Sequence, residues 1–251
     1  MYCQRVPVPP LSNLVELLWD CDVYDAPHSR ERVLPFGRIQ MIIDLEGGAA
    51  RSAITGLRTV SVEVETGRMK GIMGVVFKPG GIPGAHELFD RTLPLDEFLP
   101  NQSRQLIDLL RSAPTAEKRL ALLDANLAGT IVQPRVHPAV RHGLAMLSRN
   151  PSVRTIRDVA NENGLSARRF TDLFNTQIGI TPKAYARLLR FQGVVSEIDN
   201  ARRVEWAIVA ADSGFSDQSH LVHEFRSFAG MTPSAFVSSR RPFRNHVAVE
   251  V

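Results

Sequence analysis

Hydrogen-bonding side chains are concentrated at helical spacing in two stretches of the second half of the sequence. The first stretch carries Arg168, Arg169, Thr171 and Asp172, and the second carries Gln218, Ser219, His220, His223 and Arg226. An arginine can bond both acceptors of guanine, and a glutamine can bridge the donor and the acceptor of adenine. Base reading is concentrated near the start of such helices, which favours Arg168, Gln218 and Ser219 as direct contacts. The residue types therefore indicate contact with the base edges of duplex DNA.

The two stretches lie in two copies of one small unit. Residues 164–166 align with residues 214–216, and one extra residue in the second copy then aligns Gly179-Ile180-Thr181-Pro182 with Gly230-Met231-Thr232-Pro233. Gly164 and Gly214 can turn the chain sharply because glycine adopts the left-handed conformation. The serine two residues after each glycine, Ser166 or Ser216, can cap the next helix. The pattern predicts two helix-turn-helix units.

Each predicted recognition helix also has an apolar face. Phe170, Leu173 and Phe174 form this face in the first copy, and Leu221 and Phe225 form it in the second. A helix is predicted from Pro182, with Thr181 as its N-cap, and it is long enough to join the two units rigidly. Recognition helices that enter successive major grooves on one side of DNA should lie about 34 Å apart.

Charge is distributed unevenly along the 251 residues. Residues 1–134 hold 14 basic and 16 acidic side chains, whereas residues 135–251 hold 16 basic and 10 acidic ones. The net charge is therefore −2 in the first part and +6 in the second. This difference indicates a polyanionic partner for the second part only.

The first half follows a different pattern. Three β-type runs, at 38–45, 60–65 and 69–77, are bounded by glycines and prolines and predict strands. Leucines at helical spacing after residues 100 and 114 predict two helices that close this domain. Residues 129–138 contain two prolines and no apolar period, which is typical of a linker. We therefore expect one domain over residues 1–130 and a helical domain over residues 131–251.

The C-terminal pattern resembles the AraC/XylS family of bacterial transcription regulators. Its most specific stretch runs from Gly214-Phe215-Ser216-Asp217-Gln218-Ser219-His220-Leu221 through Phe225-Arg226 to Gly230-Met231-Thr232-Pro233. The resemblance implies an all-α domain of seven helices in which a linker helix joins two helix-turn-helix units. It also implies binding to promoter DNA and, in most cases, activation of transcription through RNA polymerase.

The same resemblance implies which side chains read bases. These positions fall on Arg168, Thr171 and Asp172 in the first unit and on Gln218, Ser219, His220 and His223 in the second, with Arg169 and Arg226 as further DNA contacts. Asp172 and His223 depart from the usual basic or amide readers. Asp172 would accept from a cytosine amine or orient a neighbouring arginine, and His223 would meet a phosphate only when it is protonated.

The N-terminal domain is similar to poorly characterised domains in one branch of that family. The similarity rests on Phe77-Lys78-Pro79-Gly80-Gly81 and on Pro94-Leu95-Asp96. It implies an α+β domain, a small cupin-like β-barrel followed by helices, that senses an effector or mediates oligomerisation. The sequence leaves open whether an effector exists, which residues would bind it, and whether the chain forms a homodimer.

Catalytic and metal chemistry is not indicated. His28 and His86 do not form the His-x-His pattern of cupin metal sites, and Glu87 is adjacent to His86, so the two would point to opposite faces of a strand. Cys21 lies between Asp20 and Asp22, which would raise the pKa of its thiol and make it a poor nucleophile. No cofactor motif, signal peptide or apolar run of membrane-spanning length is present, which predicts a cytoplasmic protein.

The sequence therefore predicts a sequence-specific, DNA-binding transcription regulator that is not an enzyme. Its expected partners are double-stranded promoter DNA and RNA polymerase, with no membrane. The alternative is that the N-terminal barrel is a small-molecule-binding or enzymatic module and that the helical domain only localises it.

Overall fold

The N-terminal half is built around two antiparallel sheets in the computed structural model, which describes residues 2–151, 155–199, 204–239 and 243–249. The larger sheet contains, in spatial order, β1 (Tyr2–Arg5), β2 (Val15–Asp25), β7 (Arg68–Phe77), β4 (Gln40–Asp44), β5 (Ala53–Thr55) and β8 (Thr92–Pro94). The smaller sheet contains β6 (Val62–Glu65), β3 (Arg30–Val33) and β9 (His246–Ala248). The three β-type runs of the sequence correspond to β4, β6 and β7, so the prediction of a strand-rich domain is confirmed.

Strands β2 and β7 are the longest strands of the larger sheet and lie next to each other in it. Leu18 pairs with Val75, and both side chains are fully buried. Asp20 in β2 is also fully buried, but Arg119 donates hydrogen bonds of 2.6 and 3.0 Å to its two carboxylate oxygens. A buried charge needs such a partner. The pair therefore attaches the helix that carries Arg119 to the sheet.

Three helices close the N-terminal domain: α1 (Leu95–Phe98), α2 (Ser103–Arg111) and α3 (Ala116–Thr130). Leu106 and Leu110 of α2, and Leu120, Leu123 and Leu127 of α3, are buried against the core. The two helices predicted from leucine spacing are confirmed as α2 and α3. The last of them ends at Thr130, and no helix or strand lies between Thr130 and Pro138.

The remaining described residues form seven helices and one strand. The helices are α4 (Pro138–Arg149), α5 (Ile156–Glu162), α6 (Ala167–Ile178), α7 (Pro182–Asp199), α8 (Trp206–Asp212), α9 (Gln218–Ala229) and α10 (Pro233–Ser238). Helices α5 and α6 form the first unit, α8 and α9 form the second, and α7 is the linker helix. The predicted fold class, an α+β domain followed by an all-α domain with two helix-turn-helix units, is confirmed.

Two features differ from the expectation. The strand pairings of the described residues give two separate sheets, and none of them joins β8 back to β1 to close a barrel. The region after Pro138 also contains β9, which pairs with β3 of the N-terminal domain. A three-residue strand is too short to show a period of two, so the sequence carried no signal for it. Within the described ranges, no helix is long and apolar enough to cross a membrane.

Candidate nucleic-acid interface

The first unit is built around two buried rings that pack at a tilt. Phe170 and Phe174 of α6 are fully buried, and their ring centroids lie 5.8 Å apart. Helix α4 can approach α6 closely because residue 143 of α4 is glycine. A Cβ at this position would lie 2.6 Å from Cζ of Phe170. Gly164 turns the chain at a φ of 66°, and the Ser166 side chain accepts a hydrogen bond from the Arg169 amide, 3.2 Å long. The glycine-turn and serine-cap predictions are therefore confirmed here.

Most of the predicted contacts on α6 face solvent. Arg168, Arg169 and Asp172 are exposed. Thr171 is only partly exposed, and its hydroxyl donates a 2.8 Å hydrogen bond to the Ala167 carbonyl, so its proton is used within the helix. An arginine pair at the start of this helix thus stands free to donate hydrogen bonds.

The second unit uses a different cap from the one predicted. Gly214 turns the chain at a φ of 72°, but Ser216 is not the N-cap of α9. The Asp217 carboxylate accepts the hydrogen bond from the His220 amide at 2.8 Å, while the Ser216 hydroxyl donates to Asp217 at 3.0 Å. The extra residue of the second copy moves the helix start by one position. That residue therefore shifts the cap from serine to aspartate.

His220 is also placed differently from a freely exposed base reader. Its Nδ1 accepts a 3.3 Å hydrogen bond from the Ser216 amide, and its ring meets Phe215 edge-on with centroids 5.4 Å apart. A ring nitrogen that accepts from an amide leaves the proton on the other nitrogen, Nε2. His220 thus holds the turn with one nitrogen. Gln218, Ser219, His223 and Arg226 are exposed on α9.

An ion pair that the sequence analysis missed attaches the second unit to the linker helix. Arg187 of α7 donates two 2.8 Å hydrogen bonds to the Glu224 carboxylate of α9. These bonds lower the pKa of Glu224 and outweigh the opposing effect of burial. One turn further along α7, Arg190 donates to the Gly214 carbonyl at 3.1 Å and lies over the Phe215 ring. Two arginines therefore fix both the helix and the turn of the second unit.

Aromatic contacts complete the attachment of both units to α7. Tyr185 lies 5.8 Å from Phe174 of the first unit. Phe191 lies 5.1 Å from Phe225 and 5.0 Å from Phe228 of the second unit. Thr181 caps α7 by accepting from the Ala184 amide at 3.2 Å, as predicted. The linker helix therefore packs against both recognition helices along its length.

Other candidate chemistry in the N-terminal domain has structural explanations. Burial, with a further contribution from Asp20 and Asp22, raises the pKa of Cys21, which makes its thiol a weak nucleophile. The Asp44 carboxylate accepts from the Gly47 amide at 2.7 Å and lies 3.0 Å from Arg51. Throughout the part of the chain that the structure describes, no cluster of three or more His, Cys, Asp or Glu side chains could hold a metal ion.

Comparison with known proteins agrees with this geometry. Residues 159–239 match the family model described as "Helix-turn-helix domain". The virulence regulon transcriptional activator VirF of Yersinia enterocolitica and the thermoregulatory protein LcrF of Yersinia pestis are each 34% identical to this chain over 83 residues. The C-terminal part of the chain is therefore similar to AraC-type transcription regulators. The matched residues span both helix-turn-helix units, from α5 to α10.

The similarity to these relatives is limited to one region. It covers 30% of this chain and 27% of each Yersinia protein, so the chain spans about a quarter of their length. Residues 4–99 match a domain of unknown function (DUF6597). The structure of ToxT from Vibrio cholerae aligns over 94% of this chain and 97% of its own, with 8% identity and a TM-score of 0.44.

Proposed function

We propose that this protein is an AraC-type regulator that binds specific sites in promoter DNA through both recognition helices and controls transcription there. Arg168 and Arg169 read or anchor one half-site, and Gln218, Ser219, His223 and Arg226 do so at the second. Asp172 and Thr171 contribute secondary contacts. His220 acts at the start of α9, where its Nε2 proton can reach an acceptor on DNA.

The observation that carries this proposal is the exposure of two polar helix starts that share one rigid support. Arg168 and Gln218 are exposed at the beginnings of α6 and α9, while the opposite faces of both helices are buried against α7 and their own units. A side chain at the start of a recognition helix reaches base edges when the helix enters the major groove. Two such starts on one linker helix allow one chain to read two half-sites.

A binding series with Arg168→Ala and Gln218→Ala tests the proposal. Each substitution removes a side chain capable of two hydrogen bonds to one base and should cost about 1–3 kcal/mol of discrimination at one base pair only. The measurement is selection of duplexes from a random library by the full-length protein, followed by footprinting of the selected site. The two variants should lose preference in different half-sites.

Matched controls separate base reading from general charge loss. Arg104→Ala and Gln105→Ala remove the same side chains from exposed positions on α2, in the N-terminal domain. They should leave base preference unchanged. If Arg168→Ala and Gln218→Ala behave like these controls, the assignment of the reading helices is wrong.

The remaining roles follow from this function. With this function we propose activation through RNA polymerase, a cytoplasmic location and no catalytic activity. We assign the N-terminal domain a tuning role, through an effector or through dimerisation. Purified full-length protein that retains a metabolite in native mass spectrometry would favour the effector, whereas a concentration-dependent dimer would favour association.

A further inference from the structure

Residues 243–249, called here the tail segment, leave the DNA-binding domain and complete a sheet of the N-terminal domain. Within this segment β9 pairs with β3, and the Val247 side chain is 2% exposed. The Leu34 amide donates to the Asn245 carbonyl at 2.8 Å, and the Val249 amide donates to the Arg30 carbonyl at 3.0 Å. The tail segment is therefore attached by main-chain bonds and by a buried side chain.

Aromatic and ionic contacts add to this attachment. The Phe243 ring lies 5.9 Å from Tyr24 and 6.2 Å from Tyr2. Nδ1 of His246 donates a 2.7 Å hydrogen bond to Glu31, a carboxylate that is 1% exposed. Tyr24 and Nε2 of His28 donate to the other oxygen of the same carboxylate. Removing the tail segment would take one of three donors from a buried charge, which is costly.

The N-terminal domain also touches the far end of both recognition helices. Nδ1 of His86 donates to the Thr176 carbonyl of α6 at 3.1 Å. At the end of α9, the Ser61 amide donates to the Phe228 carbonyl at 2.8 Å, and Arg32 lies 3.5 Å from the Gly230 carbonyl. Arg32 belongs to β3, the strand with which β9 pairs. One domain therefore contacts both units.

The first unit can approach the N-terminal domain closely because residue 179 is glycine. Gly179 ends α6 at a φ of 98°, and a Cβ at this position would lie 2.7 Å from the Ala85 carbonyl oxygen. Gly80, from the stretch Phe77–Gly81 singled out in the sequence, packs against Val136 and Ile178 in the same region. The first unit is thus docked on the N-terminal domain without help from the tail segment, whereas the Arg32 contact of the second unit comes from β3, the strand that pairs with the tail segment.

The linker helix α7 also contacts the N-terminal domain and the tail segment. Nε2 of Gln192 donates to the Pro35 carbonyl at 2.6 Å and to Oδ1 of Asn245 at 3.2 Å. Nε of Arg244 lies 3.4 Å from Asp199 near the end of α7. The tail segment therefore bonds both to the N-terminal domain and to the helix that sets the separation of the two units.

The contacts with the recognition helices lie at the opposite ends of these helices from Arg168 and Gln218. Thr176, Phe228 and Gly230 are at the C-terminal ends of α6 and α9, while Arg168 and Gln218 are exposed at the other ends. Contacts of this kind leave the DNA-reading ends uncovered. They restrict how far the second unit can move relative to the first.

We infer that the tail segment is a positioning element for DNA recognition: by completing the β3 sheet, it fixes the second recognition helix at one distance from the first. The inference rests on the proposed function, in which both helices bind one duplex. Preorganised binding of two linked sites gains affinity only when their separation matches the target. The tail segment therefore sets the preferred spacing between half-sites and takes no part in reading bases.

The test is the dependence of affinity on half-site spacing in the full-length protein. Val247→Asp places a charge in a buried position and should detach the tail segment. The probes are duplexes with both half-sites selected by the wild-type protein, the same duplexes with about 5 base pairs inserted, and duplexes with one half-site scrambled. We expect Val247→Asp to lose about tenfold or more at the selected spacing and to flatten the spacing preference. Binding to one half-site should stay within about twofold of wild type.

Two further variants keep the result interpretable. Ser238→Asp adds the same charge at an exposed position of α10 and should keep the wild-type spacing profile. Phe243→Ala removes only the ring contacts with Tyr2 and Tyr24 and should give a smaller change in the same direction. Unchanged single half-site binding shows that the DNA-binding domain is folded in each variant.

The outcomes separate the two proposals. A wild-type spacing profile for Val247→Asp would overturn the inference and leave the proposed function intact. Tighter binding at every spacing would also overturn it, because the tail segment would then inhibit binding rather than position a helix. Wild-type protein without preference for any duplex would refute the proposed function itself.

Discussion

The two helix-turn-helix units follow the same backbone path but are held by different interactions. The first is fixed by apolar contact, with Phe170 packed on Gly143 and Phe174 packed on Tyr185. The second is fixed by the ion pair of Arg187 and Glu224 in addition to its rings. Their caps differ too, since a neutral serine begins α6 and a charged aspartate begins α9.

This difference shows which features a repeat preserves. Turn glycines and Thr-Pro helix starts recur in both units because the backbone path depends on them. Each unit is attached to the rest of the molecule by its own set of side chains, and these side chains lie outside the repeated pattern. Matched substitutions at equivalent positions should therefore have unequal effects.

The largest expected effect concerns the buried ring of the first unit. Phe170→Ala removes a fully buried ring and should lower the free energy of unfolding by about 3–5 kcal/mol, against about 2–5 kcal/mol for Leu221→Ala at the equivalent position. Urea denaturation followed by far-UV circular dichroism measures both. Leu173→Ala, at a partly exposed position of α6, is the control. A loss for Phe170→Ala no greater than for this control would contradict the packing described.

A smaller effect is expected from the ion pair of the second unit. Arg187 is 38% exposed, so solvent screening reduces the value of its bonds to about 1 kcal/mol. A double-mutant cycle of Arg187→Ala and Glu224→Ala, measured by thermal unfolding, should give a coupling energy of this size. Arg187→Lys, which keeps the charge but not the two-pronged geometry, should recover only part of it. Additive losses would mean that the pair does not hold α9.

The smallest difference is expected at the caps. Ser166→Ala removes the N-cap of α6 and should cost about 1 kcal/mol, whereas Ser216→Ala should cost clearly less because Asp217 caps α9. Amide hydrogen exchange at the start of each helix measures the effect. Equal loss of protection in the two variants would mean that Ser216, and not Asp217, caps α9.

Low pH should weaken the Asp217 cap of α9 but not the Ser166 cap of α6. The backbone bond from His220 lowers the pKa of Asp217 below its usual 3.8. Its stabilisation is therefore fully present above pH 3.8 and is lost as the pH falls through the lowered value in the folded protein. The Ser166 cap has no ionisable group. Protection from exchange at the start of α9 should fall in acid more than protection at the start of α6, and Asp217→Asn should remove this difference.

Local signals made the DNA-binding domain predictable. Glycine turns, Thr-Pro starts and the apolar stripes of α6 and α9 act over a few residues, so the sequence shows them directly. The shift of the cap was also visible in principle. Ser166 lies four residues before Phe170, and Asp217 lies four residues before Leu221, which makes Asp217 the counterpart of Ser166. An alignment anchored on the two glycine turns hides this consequence of the extra residue.

Long-range pairings explain the remaining misses. Strand β2 was not predicted because Asp20 and Asp22 interrupt its apolar pattern, and their compensating charge, Arg119, lies almost a hundred residues away. Arg187 and Glu224 are 37 residues apart. No periodicity marks two single charges that meet only after the helices have packed. The sequence therefore predicts the units better than their attachments, and the roles of the exposed readers stay predictions until DNA binding is measured.

The pairing of β9 with β3 also has a consequence for synthesis. Glu31 and His246 are separated by 215 residues. At about 5–20 residues per second, a ribosome needs roughly 10–40 s between them. During that interval one edge of β3 has no partner strand, and an unpaired edge is a template for pairing with other chains. Nascent protein should therefore be most prone to aggregate shortly before translation reaches His246.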